Sequence, residues 1–136
     1  MKKTILLFLF ICVFISCSDQ IETEFKSYKM AKENKFFEKG WIPNNLVYES
    51  MTNIYLKNNL DLNSAYFSYN LSSFDLDNFK TKIHKMENPE RIDFPNELSE
   101  NMNKSEIFYT IENTDTTYIS IDNKNKKIFG WNNNKE

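Results

Sequence analysis

Apolar and polar positions repeat with different periods along the chain, and each change of period marks an element. Ile5 to Ile15 is an unbroken apolar run, and the polar, acidic stretch from Ser18 to Glu24 then reads as a tether. Phe25 to Lys39 contains neither Gly nor Pro, and Phe25, Tyr28 and Phe36 share one face at helical spacing with the Lys32 stem between them, which predicts a helix. Gly40 supplies the residue past its end and Pro43 bars continuation, so the helix stops at the turn Lys39-Gly40-Trp41-Ile42-Pro43.

Thr52 to Lys57 and Ala65 to Leu71 alternate roughly by two and are rich in Tyr, Phe, Ile and Leu. Between them Asn58 to Ser64 is dense in side chains that build turns, so the pair reads as a hairpin. Ser73 is expected to cap a second helix, with Asp75 and Asp77 in its first turn and Lys80, Lys82, His84 and Lys85 in its last, the order that the helix dipole favours. Leu76, Phe79, Ile83 and Met86 form its apolar stripe. Glu87 to Asn103, broken by Pro89 and Pro95, is a long connection in which Glu97 to Met102 fits one short helical turn. Glu106 to Glu112, Thr116 to Asp122 and Lys127 to Trp131 supply the last strands, the final two joined by the turn Asn123 to Lys126. The expected architecture is therefore α+β: one small domain over residues 25–136, an antiparallel sheet of about five strands, and two helices packed on one face.

The N-terminal apolar run follows Lys2 and Lys3 and is too short to cross a bilayer, which takes about 20 apolar residues. It reads as a signal peptide over residues 1–16. Phe14-Ile15-Ser16-Cys17 resembles the bacterial lipobox, although Phe14 stands where leucine is commonest. That resemblance implies that Cys17 is acylated with palmitate-type chains and begins a mature protein tethered by residues 17–24 to an envelope membrane, the outer one by expectation. Two acyl chains are what stable anchoring requires. An ordinary secretory signal is the alternative.

Composition then narrows the chemistry. With Cys12 lost in the signal and Cys17 blocked by lipid, the domain keeps no thiol for a disulfide, a metal or a nucleophile. Gly40 and Gly130 are the two glycines and His84 the one histidine, which excludes glycine-rich phosphate loops and multi-histidine metal centres. No cofactor is expected. Removing Lys2 and Lys3 from the 17 basic residues leaves 15 against 19 acidic ones, a net charge of −4, the wrong sign for a nucleic-acid partner. The acidic residues read as solvated surface, and no pair of them stands out as an acid and base for glycoside hydrolysis. Asp61 and Asn63 lack the spaced acids and closing glutamate of a calcium loop and read as turn residues. Asparagine is taken to do the turn work that glycine does elsewhere.

Aromatic residues make up 15% of the chain. Most are expected in the core and in cross-strand pairs, while Trp41 and Trp131 are the candidates for an exposed stacking platform. Arg91, in the long connection, is the candidate for gripping a carboxylate or phosphate on a partner.

Phe37-Glu38-Lys39-Gly40-Trp41-Ile42-Pro43, Ser50-Met51-Thr52-Asn53-Ile54, Asn59-Leu60-Asp61-Leu62-Asn63 and the aromatic strand Tyr66 to Tyr69 together resemble the YbbD head-domain type over about residues 28–80. Val47-Tyr48-Glu49 replaces the proline usual before the serine, and Met51 replaces an alanine. The resemblance implies a fold and no catalytic residue. The function expected is that of a non-enzymatic envelope lipoprotein that binds or scaffolds. The alternatives are a carbohydrate- or peptidoglycan-binding module and an immunity- or inhibitor-like protein that meets a basic envelope toxin or hydrolase.

Overall fold

The computed structural model describes residues 20–88 and 106–133. Its centre is one antiparallel sheet of seven strands, two more than expected. They are β1 (Gln20–Ser27), β2 (Thr52–Asn59), β3 (Ser64–Asn70), β4 (His84–Lys85), β5 (Phe108–Glu112), β6 (Asp115–Asp122) and β7 (Lys127–Asn133). The order across the sheet is β1-β2-β3-β7-β6-β5-β4, so two meanders meet where β7 pairs with β3. The helices among the described residues are α1 (Tyr28–Glu33) and α2 (Ser73–Lys80), with 3-10 turns at Phe37–Lys39 and Asn44–Leu46.

The first correction falls at the N-terminal edge. Gln20 to Glu24, read as tether, belong to β1, and Phe25 lies in that strand rather than in a helix. Thr23 and Phe25 pair with Leu56 and Ile54 of β2, and the alternation of Glu22, Glu24 and Lys26 on the other side is the period of a strand. Helix begins only after Ser27, whose side chain accepts from the Met30 N–H at 3.4 Å. It ends at Asn34, whose backbone and side-chain N–H groups both bond to the Met30 carbonyl, and Lys35 follows with φ 54°. Gly40 closes the next turn in the left-handed region at φ 74°.

The second correction concerns α2. It is capped by Ser72, not Ser73, and ends at Thr81, whose hydroxyl bonds back to the Asn78 carbonyl at 2.7 Å. His84 is thus not in a last helical turn. It sits in the short edge strand β4, exposed, opposite Tyr109 of β5. The connection read over 87–103 lies outside the described residues apart from Glu87 and Asn88.

One face of the sheet carries the main core. Ile54 and Leu56 of β2, Phe67 and Tyr69 of β3, Ile119 of β6 and Ile128 of β7 cluster with Ala31 of α1, Leu76 and Phe79 of α2, and Phe36, Ile42, Leu46 and Met51 of the connecting segment. Asparagine does stand at left-handed turn positions, at Asn63 and Asn113, and Asn53 takes a positive φ within β2, where the pairing with β3 is irregular. A Cβ built on Gly40 meets nothing within 4 Å, so the cost of Gly40→Ala is purely conformational. We expect it to lower stability by about 1 kcal/mol in a thermal melt, with the fold intact.

Candidate functional site

The face opposite the main core is where the sheet gathers chemistry. Strand register places Glu22, Lys57, Tyr66, Trp131, Tyr118, Tyr109 and His84 side by side, one from each strand in spatial order. Period-two alternation puts all seven on that face because their neighbours Leu56, Phe67 and Ile119 point into the core. The row is held by its own contacts. Glu22 and Lys57 form an ion pair at 3.8 Å, the Tyr118 and Trp131 rings stack at 5.6 Å, and the Tyr109 and His84 rings lie 5.5 Å apart.

Two residues along, a second row runs Glu24, Tyr55, Ser68, Phe129 and Ser120. Tyr55 meets Tyr66 edge to face at 5.9 Å, which links the rows. Over β1, β2 and β3 these side chains border an open groove of about 850 Å³, with Glu24, Lys26, Tyr55, Lys57, Tyr66 and Lys127 among its walls. Lys127 is positioned by its ammonium lying 5.1 Å from the centre of the Phe129 ring. A floor of tyrosine rings with ammonium groups on the walls can take a ligand that offers both flat apolar faces and acceptor oxygens.

Residues 19–70 match the YbbD head domain. The match runs from the start of β1 through the end of β3 and so begins earlier, and stops earlier, than the motifs of the sequence suggest. No curated protein and no solved structure matches the chain. All the groove residues named except Lys127 come from the segment that matches the YbbD head domain.

The tryptophans do not supply an exposed platform. Trp131 is 8% exposed, the buried centre of a small cluster with Ile107 that Tyr66, Tyr118 and Met86 flank. Trp41 is half-buried against the main core on the other face, and its carbonyl accepts from Asn132 Nδ2 at 2.9 Å. That bond is one of several that tie the Gly-Trp-Ile-Pro loop to the sheet. Asn45 Nδ2 donates to Thr110 Oγ1 at 3.1 Å and the Asn44 N–H to Glu112 Oε2 at 3.0 Å, while Lys82, just past α2, donates from Nζ to the Asn45 carbonyl at 2.9 Å. Among the described residues no group of three or more His, Cys, Asp or Glu is placed to hold a metal ion. Cys17 and Arg91 lie outside the described residues.

Tyr55, Lys57, Tyr66 and Lys127 are not among the candidate residues that composition and motifs single out. Their signal was present: Tyr55 and Lys57 occupy the phase of β2 opposite Ile54 and Leu56, and Tyr66 the phase of β3 opposite Phe67 and Tyr69. Aromatics on the polar phase of a strand mark a working surface more directly than the mere presence of tryptophan.

Proposed function

We propose that the protein is a non-enzymatic lipoprotein of the bacterial envelope, anchored through Cys17, whose groove over β1 to β3 binds a glycan. The observation that carries the reading is the joined pair Tyr55 and Tyr66 on the groove side of the sheet, flanked by Lys26, Lys57 and Lys127. Sugar rings offer C–H faces to aromatic rings, and their hydroxyl and carboxylate oxygens suit ammonium donors. The lysines give less support to the inhibitor-like alternative, because a basic toxin steered by charge would favour an acidic surface. No helix among the described residues is long and apolar enough to cross a membrane.

Two arms test it. Fatty acid label should attach to the parent protein, and Cys17→Ser should move the protein from the membrane fraction to the soluble one. Titration of soluble peptidoglycan fragments should show binding that Tyr66→Ala weakens by about tenfold, the loss of one aromatic contact, while Tyr66→Phe keeps it. Unlabelled soluble parent protein would remove the anchor from the proposal, and fragments that bind Tyr66→Ala as tightly as the parent would remove the groove.

A further inference from the structure

We infer that the β2–β3 tip is a membrane-contact loop, in which Leu60 and Leu62, with Ile21 beside them, dip into the bilayer surface that holds the anchor. The inference rests on the lipoprotein reading of Cys17 and adds an orientation to it: this end of the sheet faces the lipid.

Chain length makes the first argument. Strand β1 begins at Gln20, three residues after Cys17, and three residues span at most about 11 Å even when fully extended. The start of β1 is therefore held within that distance of the acylated residue. Gln20 pairs with Asn59 and Ile21 with Asn58, so the β2–β3 tip stands at the same end of the sheet.

Exposed apolar side chains gather there. Ile21 is 49% exposed, Leu60 53% and Leu62 64%. Register carries the same end across the sheet, through Ile21, Asn58, Ala65, Asn132, Thr117 and Thr110. The residue after Thr110 is Ile111, another exposed apolar side chain. Met30 and Phe74 are also exposed, but they follow the far ends of β1 and β3 and would face away from the membrane.

The turn is also built for a place with little water. The Leu62 N–H donates to Asn59 Oδ1 at 3.1 Å and the Asn63 N–H to the Leu60 carbonyl at 3.3 Å, so these two amides do not depend on solvent when the leucines enter the interface. Asp61 lies between the leucines, and Glu112 and Asp115 lie at the β5–β6 turn, while Lys57, which lines a small cavity with Leu62, is already paired with Glu22. The three acidic groups at this end limit the contact to a shallow one and direct it to a zwitterionic surface rather than an anionic one.

The mature acylated protein offers no free thiol, so a cysteine introduced into it takes a fluorophore at one position only. Leu62→Cys and Phe74→Cys, each made in the full lipidated chain and labelled with an environment-sensitive dye, are reconstituted into phosphatidylcholine vesicles. The dye at 62 should shift to the blue and be quenched by bromine-labelled acyl chains at least roughly twofold more than the dye at 74. Equal, water-like emission at both positions in protein shown by mass to carry its lipid overturns the membrane-contact loop and leaves the anchor standing. Protein that carries no lipid at Cys17 overturns both.

Discussion

Gly130→Ala should cost at least about 3 kcal/mol, and Gly130→Val should prevent folding. A Cβ at this position would lie 2.1 Å from Cζ and 2.2 Å from Cε2 of Phe67, distances that no van der Waals contact allows. Phe67 is the direct cross-strand partner of Gly130, and the tip of its ring sits against the glycine in the middle of the sheet. It has no room to retreat. Phe67 is fully buried and parallel to Tyr69, with ring centres 6.0 Å apart and planes within 7°. The whole stability of such a domain is about 5–15 kcal/mol, so an overpacking penalty of this size removes a large fraction of it. Urea unfolding of Gly130→Ala, alone and combined with Phe67→Leu, measures the effect. The double variant should recover part of the loss, because the shorter side chain vacates the space over residue 130. A single variant within about 1 kcal/mol of the parent would mean that the ring does not occupy that place.

Gly130 also shows where sequence reading stops. By counting, it is one of two glycines that exclude a phosphate loop, and nothing local marks it as the neighbour of a ring 63 residues earlier in the chain. Hairpins, by contrast, were legible. The strands from Thr52 to Asn70 and from Phe108 to Asn133 carry their own period and their own turn residues, and the expected boundaries differ from the observed ones by a few residues. Gln20 to Phe25 failed because an edge strand with Glu on its outer phase looks polar until its partner is known, and β2 lies about thirty residues further on. Phe25, Tyr28 and Phe36 fit a helical face by spacing alone, yet Phe25 reaches Phe36 edge to face at 5.1 Å from a strand. The extension of α2 to Met86 failed for a similar reason: Ile83 and Met86 keep their apolar character in an extended segment, where the Met86 N–H bonds to the Ile107 carbonyl at 2.8 Å. Exposure of tryptophan was illegible because it depends on what register brings alongside, and Tyr66 and Tyr118 both stand beside Trp131.

Tyr69 should be the second position of large effect and the source of alkaline sensitivity. Its ring is fully buried and its hydroxyl donates to the Leu46 carbonyl at 3.0 Å, so the 3-10 turn over the core depends on a phenol in the sheet below it. Tyr69→Ala empties an aromatic-sized space and should cost about 3–5 kcal/mol, whereas Tyr69→Phe keeps the ring and loses one buried hydrogen bond, about 1 kcal/mol. The pH behaviour separates the ring from the hydroxyl. Burial first, and the nearby Tyr48 second, push the Tyr69 phenol well above its ordinary value, so the folded protein holds this proton at a pH where the unfolded chain has released it. Its contribution is therefore complete below about pH 10 and is lost as the pH rises toward the folded value, at up to about 1.4 kcal/mol per pH unit for one proton. Denaturant midpoints at pH 7 and pH 11 for the parent and Tyr69→Phe measure it, and the difference between the two proteins removes the part due to other tyrosines. The parent should lose more stability than the variant across that interval. Equal losses would assign the alkaline sensitivity to other groups and leave Tyr69 as packing alone.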